Sequence, residues 1–135
     1  MVTIDTNIAF YALAREGKAQ RARSVLAEAH FLSVQVLNEY AFAARRKLHR
    51  EWDEIDYDLN LLRNAVAEVH SIDCAANREA LRLAERFRLS FYDALMIAVT
   101  LANGATTLYS EDMQHGLVID GRLTIVNPFL PAEPE

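Results

Sequence analysis

Four carboxylic acids, Asp5, Glu39, Asp93 and Asp112, are spread along the chain at places where an acid can do chemistry. Asp5 closes the β-prone opening Val2 to Asp5 and is followed by Thr6 and Asn7, while Asp112 comes two residues after Ser110, just past the β-prone Thr106 to Tyr109. Glu39 lies early in a helical pattern, and Asp93 sits in the first turn of SFYDALMIAVTLANG, Ser90 to Gly104, a run apolar on nearly every side. Each acid alone has an ordinary explanation. Asp is a preferred helix N-cap, acids suit the first turn, and the Ser90 to Asp93 spacing fits a capping box. Thr6, Asn7 and Ser110 likewise fit turns and caps.

Together the four acids ask for more. Two carboxylates about 5 Å apart repel by roughly 3 kcal/mol at an effective dielectric of about 20, so a cluster calls for a cation. Mg²⁺ and Mn²⁺ take carboxylate and water oxygens and bridge to phosphates. With a single cysteine, Cys74, and no closely spaced histidine pair, zinc is the weaker candidate. Such a site suits phosphodiester hydrolysis by in-line attack of a metal-activated water. Thr6, Asn7 and Ser110 would then orient the carboxylates.

For distant acids to meet, the elements must carry them to one edge. Strand patterns at Val2 to Asp5, Phe31 to Val34, His70 to Ile72, Thr106 to Tyr109 and Leu123 to Val126 alternate with helical ones. The helices are expected from Ile8 to Leu13, Lys18 to His30, Gln35 to Leu48, Ile55 to Val69, Ala75 to Arg88 and Ser90 to Ala102, with a tight turn at Asp120-Gly121. Alternation of this kind predicts an α/β sandwich around a mostly parallel sheet, because parallel neighbours need crossover helices. In such folds ligands bind beyond the carboxyl ends of the strands, where Asp5 and Asp112 fall.

The 135 residues, 52% hydrophobic and 24% charged, fit one domain over residues 1–135 without disulfides. Lone-cysteine usage is compatible with a reducing cytosol, and no apolar run reaches the roughly 18 residues of a membrane span, so a soluble cytoplasmic protein is expected. A net charge of -5 argues against broad attraction to nucleic acid. Local basic groups remain: Arg45, Arg46 and Lys47 near the end of one helix, and Arg78 and Arg82 on one face of another. Either set could meet phosphates, or serve the helix dipole and local pairs with Glu79 and Glu85. The helical spacing assigns Phe10, Tyr11, Phe42 and Trp52 to the core first and to a partner surface second.

The segments VTIDTN, VLNEY, FYDALMIAVTLANG and LYSEDMQHG, together with the ending LTIVNPF, resemble in order and approximate spacing a PIN domain, most closely a toxin of the VapC type from bacterial toxin-antitoxin pairs. The resemblance implies a three-layer α/β/α sandwich and a Mg²⁺ or Mn²⁺ site formed by Asp5, Glu39, Asp93 and Asp112, with Thr6, Asn7 and Ser110 in support. It implies an endoribonuclease acting on transfer, ribosomal or messenger RNA, a homodimer, and a small antitoxin whose tail enters the site groove. Glu111 neighbours the matched Asp112, which leaves open whether it assists. Two rivals stand beside this reading. One is a catalytically silent PIN-like module that binds RNA or a protein, disfavoured by the mutual repulsion of four acids. The other is a different Mg²⁺-dependent phosphohydrolase, weakened because Asp5 is followed by Thr6 and Asn7 rather than by the second acid of an Asp-x-Asp pair.

Overall fold

Asp5 marks the first change from strand to helix. It ends β1 (Val2–Ile4) and, in extended conformation, caps α1 (Thr6–Ala12) by accepting from the Thr6 amide. The computed structural model describes residues 1–131, and its α/β fold continues with α2 (Ala19–Glu28), β2 (Phe31–Ser33) and α3 (Val34–Leu48), which Ser33 caps through the Gln35 amide. There follow α4 (Trp52–Asn64), β3 (Glu68–His70), α5 (Cys74–Phe87), α6 (Phe91–Ala102), β4 (Thr107–Tyr109), β5 (Val118–Ile119) and β6 (Leu123–Val126).

Two sequence expectations need correction. The helix expected over Ile55 to Val69 is displaced toward the N-terminus, because Glu51 and Glu54 close a capping box that starts α4 at Trp52. It ends at Asn64, which leaves Glu68–His70 rather than His70 to Ile72 for the strand. The short β5 carries too few residues to give a period. It pairs antiparallel with β6 around Asp120 and Gly121, whose φ values of 51° and 65° are those of a primed hairpin turn.

The main sheet runs β1-β4-β6-β5, parallel except for β5. The parallel pair β2-β3 adjoins the free edge of β1, where the His30 amide donates to the Val2 carbonyl (2.9 Å) and the Thr3 hydroxyl to the Phe31 carbonyl (2.5 Å). The chain therefore leaves β1 on one side, toward β2 and β3, and returns to β4 on the other. That reversal places the switch point of the sheet between β1 and β4, where connections diverge and a crevice opens at the carboxyl ends.

α6 is the central helix. Every residue from Ala94 to Leu101 is buried, and full burial of a side chain such as Met96 or Ile97 stabilises by roughly 1.5–3 kcal/mol. α3 is held by a polar clamp. The buried Asp58 of α4 accepts from the Tyr40 hydroxyl (2.7 Å) and from Arg50 Nε and Nη2 (2.7 and 2.9 Å), and the Tyr40 ring packs on Phe10 at 5.4 Å. A buried carboxylate so paired is satisfied at both oxygens, and the clamp fixes the rotation of α3 at Tyr40, next to Glu39. Among the described residues no helix is long and apolar enough to cross a membrane.

Candidate active site

Asp5 is buried at the carboxyl end of β1, its backbone amide donating to the Tyr109 carbonyl of β4 (2.9 Å). One carboxylate oxygen accepts from the Thr6 amide (2.7 Å), and the other from the Ser110 hydroxyl (2.8 Å) and the Asn7 amide group (3.3 Å). Burial raises its pKa, the hydrogen bonds from Ser110 and Thr6 lower it, and the negative charges of Glu39 and Asp93 raise it, leaving the carboxyl pushed up to about 6. The capping role and the site role thus coexist in one side chain.

Glu39 reaches the same place from α3. Its Oε2 accepts from the Thr6 hydroxyl (2.6 Å) and its Oε1 from Gln35 Nε2, one helical turn earlier (2.9 Å). Asp112, past the end of β4, accepts from Asn7 Nδ2 (3.2 Å) while its own amide donates to Ser110 Oγ (3.2 Å). Asp93 stands in the first turn of α6. Ser90 caps that helix by accepting from the Asp93 amide (3.2 Å), but among the described residues the Asp93 carboxylate does not return to the Ser90 amide, so the expected capping box is only half made. The Asp93 carboxyl is shifted upward, first by burial, with Asp112 and Glu39 adding to the shift and Ser90 opposing it. Four segments distant in sequence therefore bring acids within mutual electrostatic reach, and Asn7 and Ser110 link the β1 and β4 sides.

The chemistry of this donor set fits a hard divalent cation: carboxylates and the hydroxyl oxygens of Thr6 and Ser110 lie around a buried acid that is costly to ionise, while Asn7 turns its amide nitrogen to Asp5 and Asp112. In their present rotamers the acids stand apart, and among the described residues no three Asp, Glu, His or Cys side chains gather closely enough to share one ion. The spacing has a physical cause. Repulsion separates like charges, and Thr6, Gln35 and Asn7 occupy the carboxylate oxygens that a cation would otherwise take.

Beside the acids opens a groove of about 870 Å³, lined by Asn7, Glu39 and Asp112 at one end and by Arg46 and Lys47 of α3 at the other. Phe42 and Tyr92, 65% and 61% exposed, form part of its wall. The basic residues separate into two groups. Arg46 and Lys47 line the groove, with Arg46 lying over the Phe42 ring at 5.7 Å. Arg45 turns away to the Trp52 ring (4.9 Å) and the Arg50 carbonyl (2.9 Å). Arg82 pairs with Glu79 and with Asp120 of the β5-β6 turn, and neither it nor the exposed Arg78 lines the groove. Phe10 and Tyr11 are partly buried, as helical spacing predicted, but Phe42, on the groove wall, and Trp52 are exposed, so the core assignment fails for both.

Sequence reasoning missed Gln35, Asn38 and Tyr92 at this site. Gln35 had a readable signal, since a glutamine one turn before a glutamate is a helical neighbour pair. Tyr92 had none, because its position beside Asp93 says nothing of the α3 wall opposite.

Comparison with known proteins places the fold. The sequence model of the PIN domain matches residues 2–116. A toxin-antitoxin complex from Klebsiella pneumoniae superposes with a TM-score of 0.71 at 15% identity, covering 96% of this chain and 98% of that one. The Mycobacterium tuberculosis toxin VapC20, which cleaves the sarcin-ricin loop, gives 0.66 at 19% identity over 83% and 92%. VapBC2 from Rickettsia felis, bound to a DNA fragment from its promoter, gives 0.67 at 16% identity over 93% and 97%. No curated protein matches the sequence.

Proposed function

The chain belongs to the PIN domain family, and from that premise we propose that it is a metal-dependent endoribonuclease, the VapC-type toxin of a toxin-antitoxin pair. The observation that carries the reading is the convergence of Asp5, Glu39, Asp93 and Asp112 at the switch point of the sheet, beside a groove with cations at its far end. Acids alone would repel RNA. A groove that adds Arg46 and Lys47 can hold the phosphate chain while the acids face the reacting bond.

In this reading Asp5, Glu39, Asp93 and Asp112 hold Mg²⁺ or Mn²⁺. The bound ion supplies Lewis-acid charge that acidifies water and offsets the charge developing at phosphorus. The protein does the rest. Ser110 and the Thr6 amide orient the buried Asp5 carboxylate, Thr6 and Gln35 direct Glu39, and Asn7 ties Asp5 to Asp112. The apolar packing of α6 fixes where Asp93 points. A cognate antitoxin belongs to the same proposal, supported by toxin-antitoxin complexes among the proteins of similar fold, and a homodimer and a cytoplasmic location are proposed with it.

The test is direct. Purified protein incubated with cellular RNA and Mg²⁺ should produce a small set of discrete new ends, readable by sequencing, and EDTA should prevent them. Intact RNA under both conditions would favour the silent binding module.

The groove cations make a separate expectation. Arg46→Ala and Lys47→Ala should each raise KM several-fold with kcat within about twofold, and each should reduce the salt dependence of binding by about one phosphate contact. Arg82→Ala, away from the groove, should leave both unchanged. Equal effects at all three positions would remove the groove as the RNA path.

A further inference from the structure

Lys18 is an odd residue for its place. It is the N-cap of α2, where Ser, Thr, Asp or Asn would satisfy an amide, yet its side chain makes no capping hydrogen bond. Its positive charge also opposes the helix dipole at that end. A residue that breaks two local rules is expected to be held by something tertiary. Here the ammonium group pairs with Glu111, the acid adjacent to Asp112, and lies over the rings of Tyr11 (5.0 Å) and Phe129 (5.1 Å), which pack edge to face at 5.3 Å. Segments from α1, α2, the turn after β4 and the end of the described chain thus meet at one cation.

The turn after β4 is pinned from both sides. The Glu111 amide donates to Asn7 Oδ1 (3.1 Å), and the Asp112 and Met113 amides donate to Ser110 Oγ (3.2 and 3.3 Å). The Glu111 carboxylate instead turns, half-buried, to the Lys18 ammonium and the Tyr11 hydroxyl. Adjacent side chains on a tight turn can exchange places through a modest backbone rotation, and nothing in their chemistry separates Asp112 from Glu111 as an oxygen donor. The contacts with Lys18 and Tyr11 do separate them, and of these only Lys18 brings an opposite charge.

We propose that Lys18 is a positioning residue that holds Glu111 out of the acid cluster, so that the turn after β4 presents Asp112 alone to the cation. This rests on the ion-binding reading of the four acids only for its second half. The orientation of the turn stands by itself.

Two measurements on the full chain test the halves separately. In metal-free protein, amide hydrogen exchange at Glu111, Asp112 and Met113 should speed up at least tenfold in Lys18→Met and less than threefold in Lys18→Arg, after normalisation to Ile97 in the buried α6. Normalisation keeps the test valid if Lys18→Met lowers overall stability. Unchanged exchange in Lys18→Met would overturn the pin. Mn²⁺ binding, followed by the paramagnetic resonance of the free ion, should be insensitive to Glu111→Gln in the wild-type background, within about threefold. In the Lys18→Met background, where Glu111 has lost its ammonium partner and keeps only Tyr11, the same substitution should weaken binding about tenfold. Equal effects of Glu111→Gln in both backgrounds would mean that Lys18 acts only through its charge, and would overturn the exclusion of Glu111. Wild-type protein that binds no Mn²⁺ would instead sink the metal-dependent reading and the exclusion together, while the exchange rates still decide whether Lys18 pins the turn.

Discussion

Asp93→Asn should abolish Mg²⁺-dependent RNA cleavage, lowering kcat/KM by at least about a thousandfold, or roughly 4 kcal/mol of transition-state stabilisation. The size follows from the place of the residue. Asp93 projects from a helix buried on all sides behind it, so no other acid can move into its position without unpacking α6. The helix itself should survive the change. Its cap is made by the Ser90 hydroxyl and the Asp93 backbone amide, and both remain in the variant. Circular dichroism should therefore match the wild type, and expression of the variant should permit growth where expression of the wild type arrests it. Undiminished cleavage by a well-folded Asp93→Asn preparation would remove Asp93, and with it the four-acid site, from the mechanism.

Asp5→Asn should have the largest effect on stability, in the direction opposite to its effect on activity. Burial first, then Glu39 and Asp93, hold the Asp5 carboxyl at about 6 against an ordinary 3.8. Between those values the folded protein binds more protons than the unfolded chain, so stability falls as pH rises through the window and the full penalty is present above about pH 6. The displacement corresponds to an upper limit of about 3 kcal/mol, or on the order of 10 °C in Tm for a chain of this size. Metal-free wild type should lose several degrees between pH 4.5 and 7.5, and Asp5→Asn should show a flatter profile with a higher Tm at pH 7.5. An asparagine oxygen can still accept from the Thr6 amide, so the cap is kept. Mg²⁺ at pH 7.5 should raise the Tm of the wild type and leave the variant nearly unmoved. A pH profile as steep in Asp5→Asn as in the wild type would show that another group carries the linkage.

Under the proposed function, stability and activity would be opposed at one residue. A buried carboxyl whose pKa is raised is expected to weaken the metal-free fold, a cost that capping alone does not explain, since asparagine caps equally well. Glu111, turned to Lys18, fits the same pattern: an acid beside the site is tolerated where a cation offsets its charge.

The sequence by itself determined which acids to consider and that they belong to one sheet edge. Alternating strand and helix patterns forced parallel pairing, and parallel pairing forces the ends of β1 and β4 to face the same way, so Asp5 and Asp112 had to be neighbours if their strands were. That β1 and β4 are adjacent, with β2 on the far side of β1, was decided only by the tertiary structure, because strand order depends on packing between segments a hundred residues apart. The same holds for side-chain direction. Local spacing could not say that Phe42 faces the groove while Tyr40 faces Asp58, since both are aromatic residues of one helix and the Arg50-Asp58 clamp sets its rotation. Nor could it tell Asp112 from Glu111. Adjacent acids are equivalent in composition and period, and what separates them is a cation delivered from α2, more than ninety residues earlier in the chain.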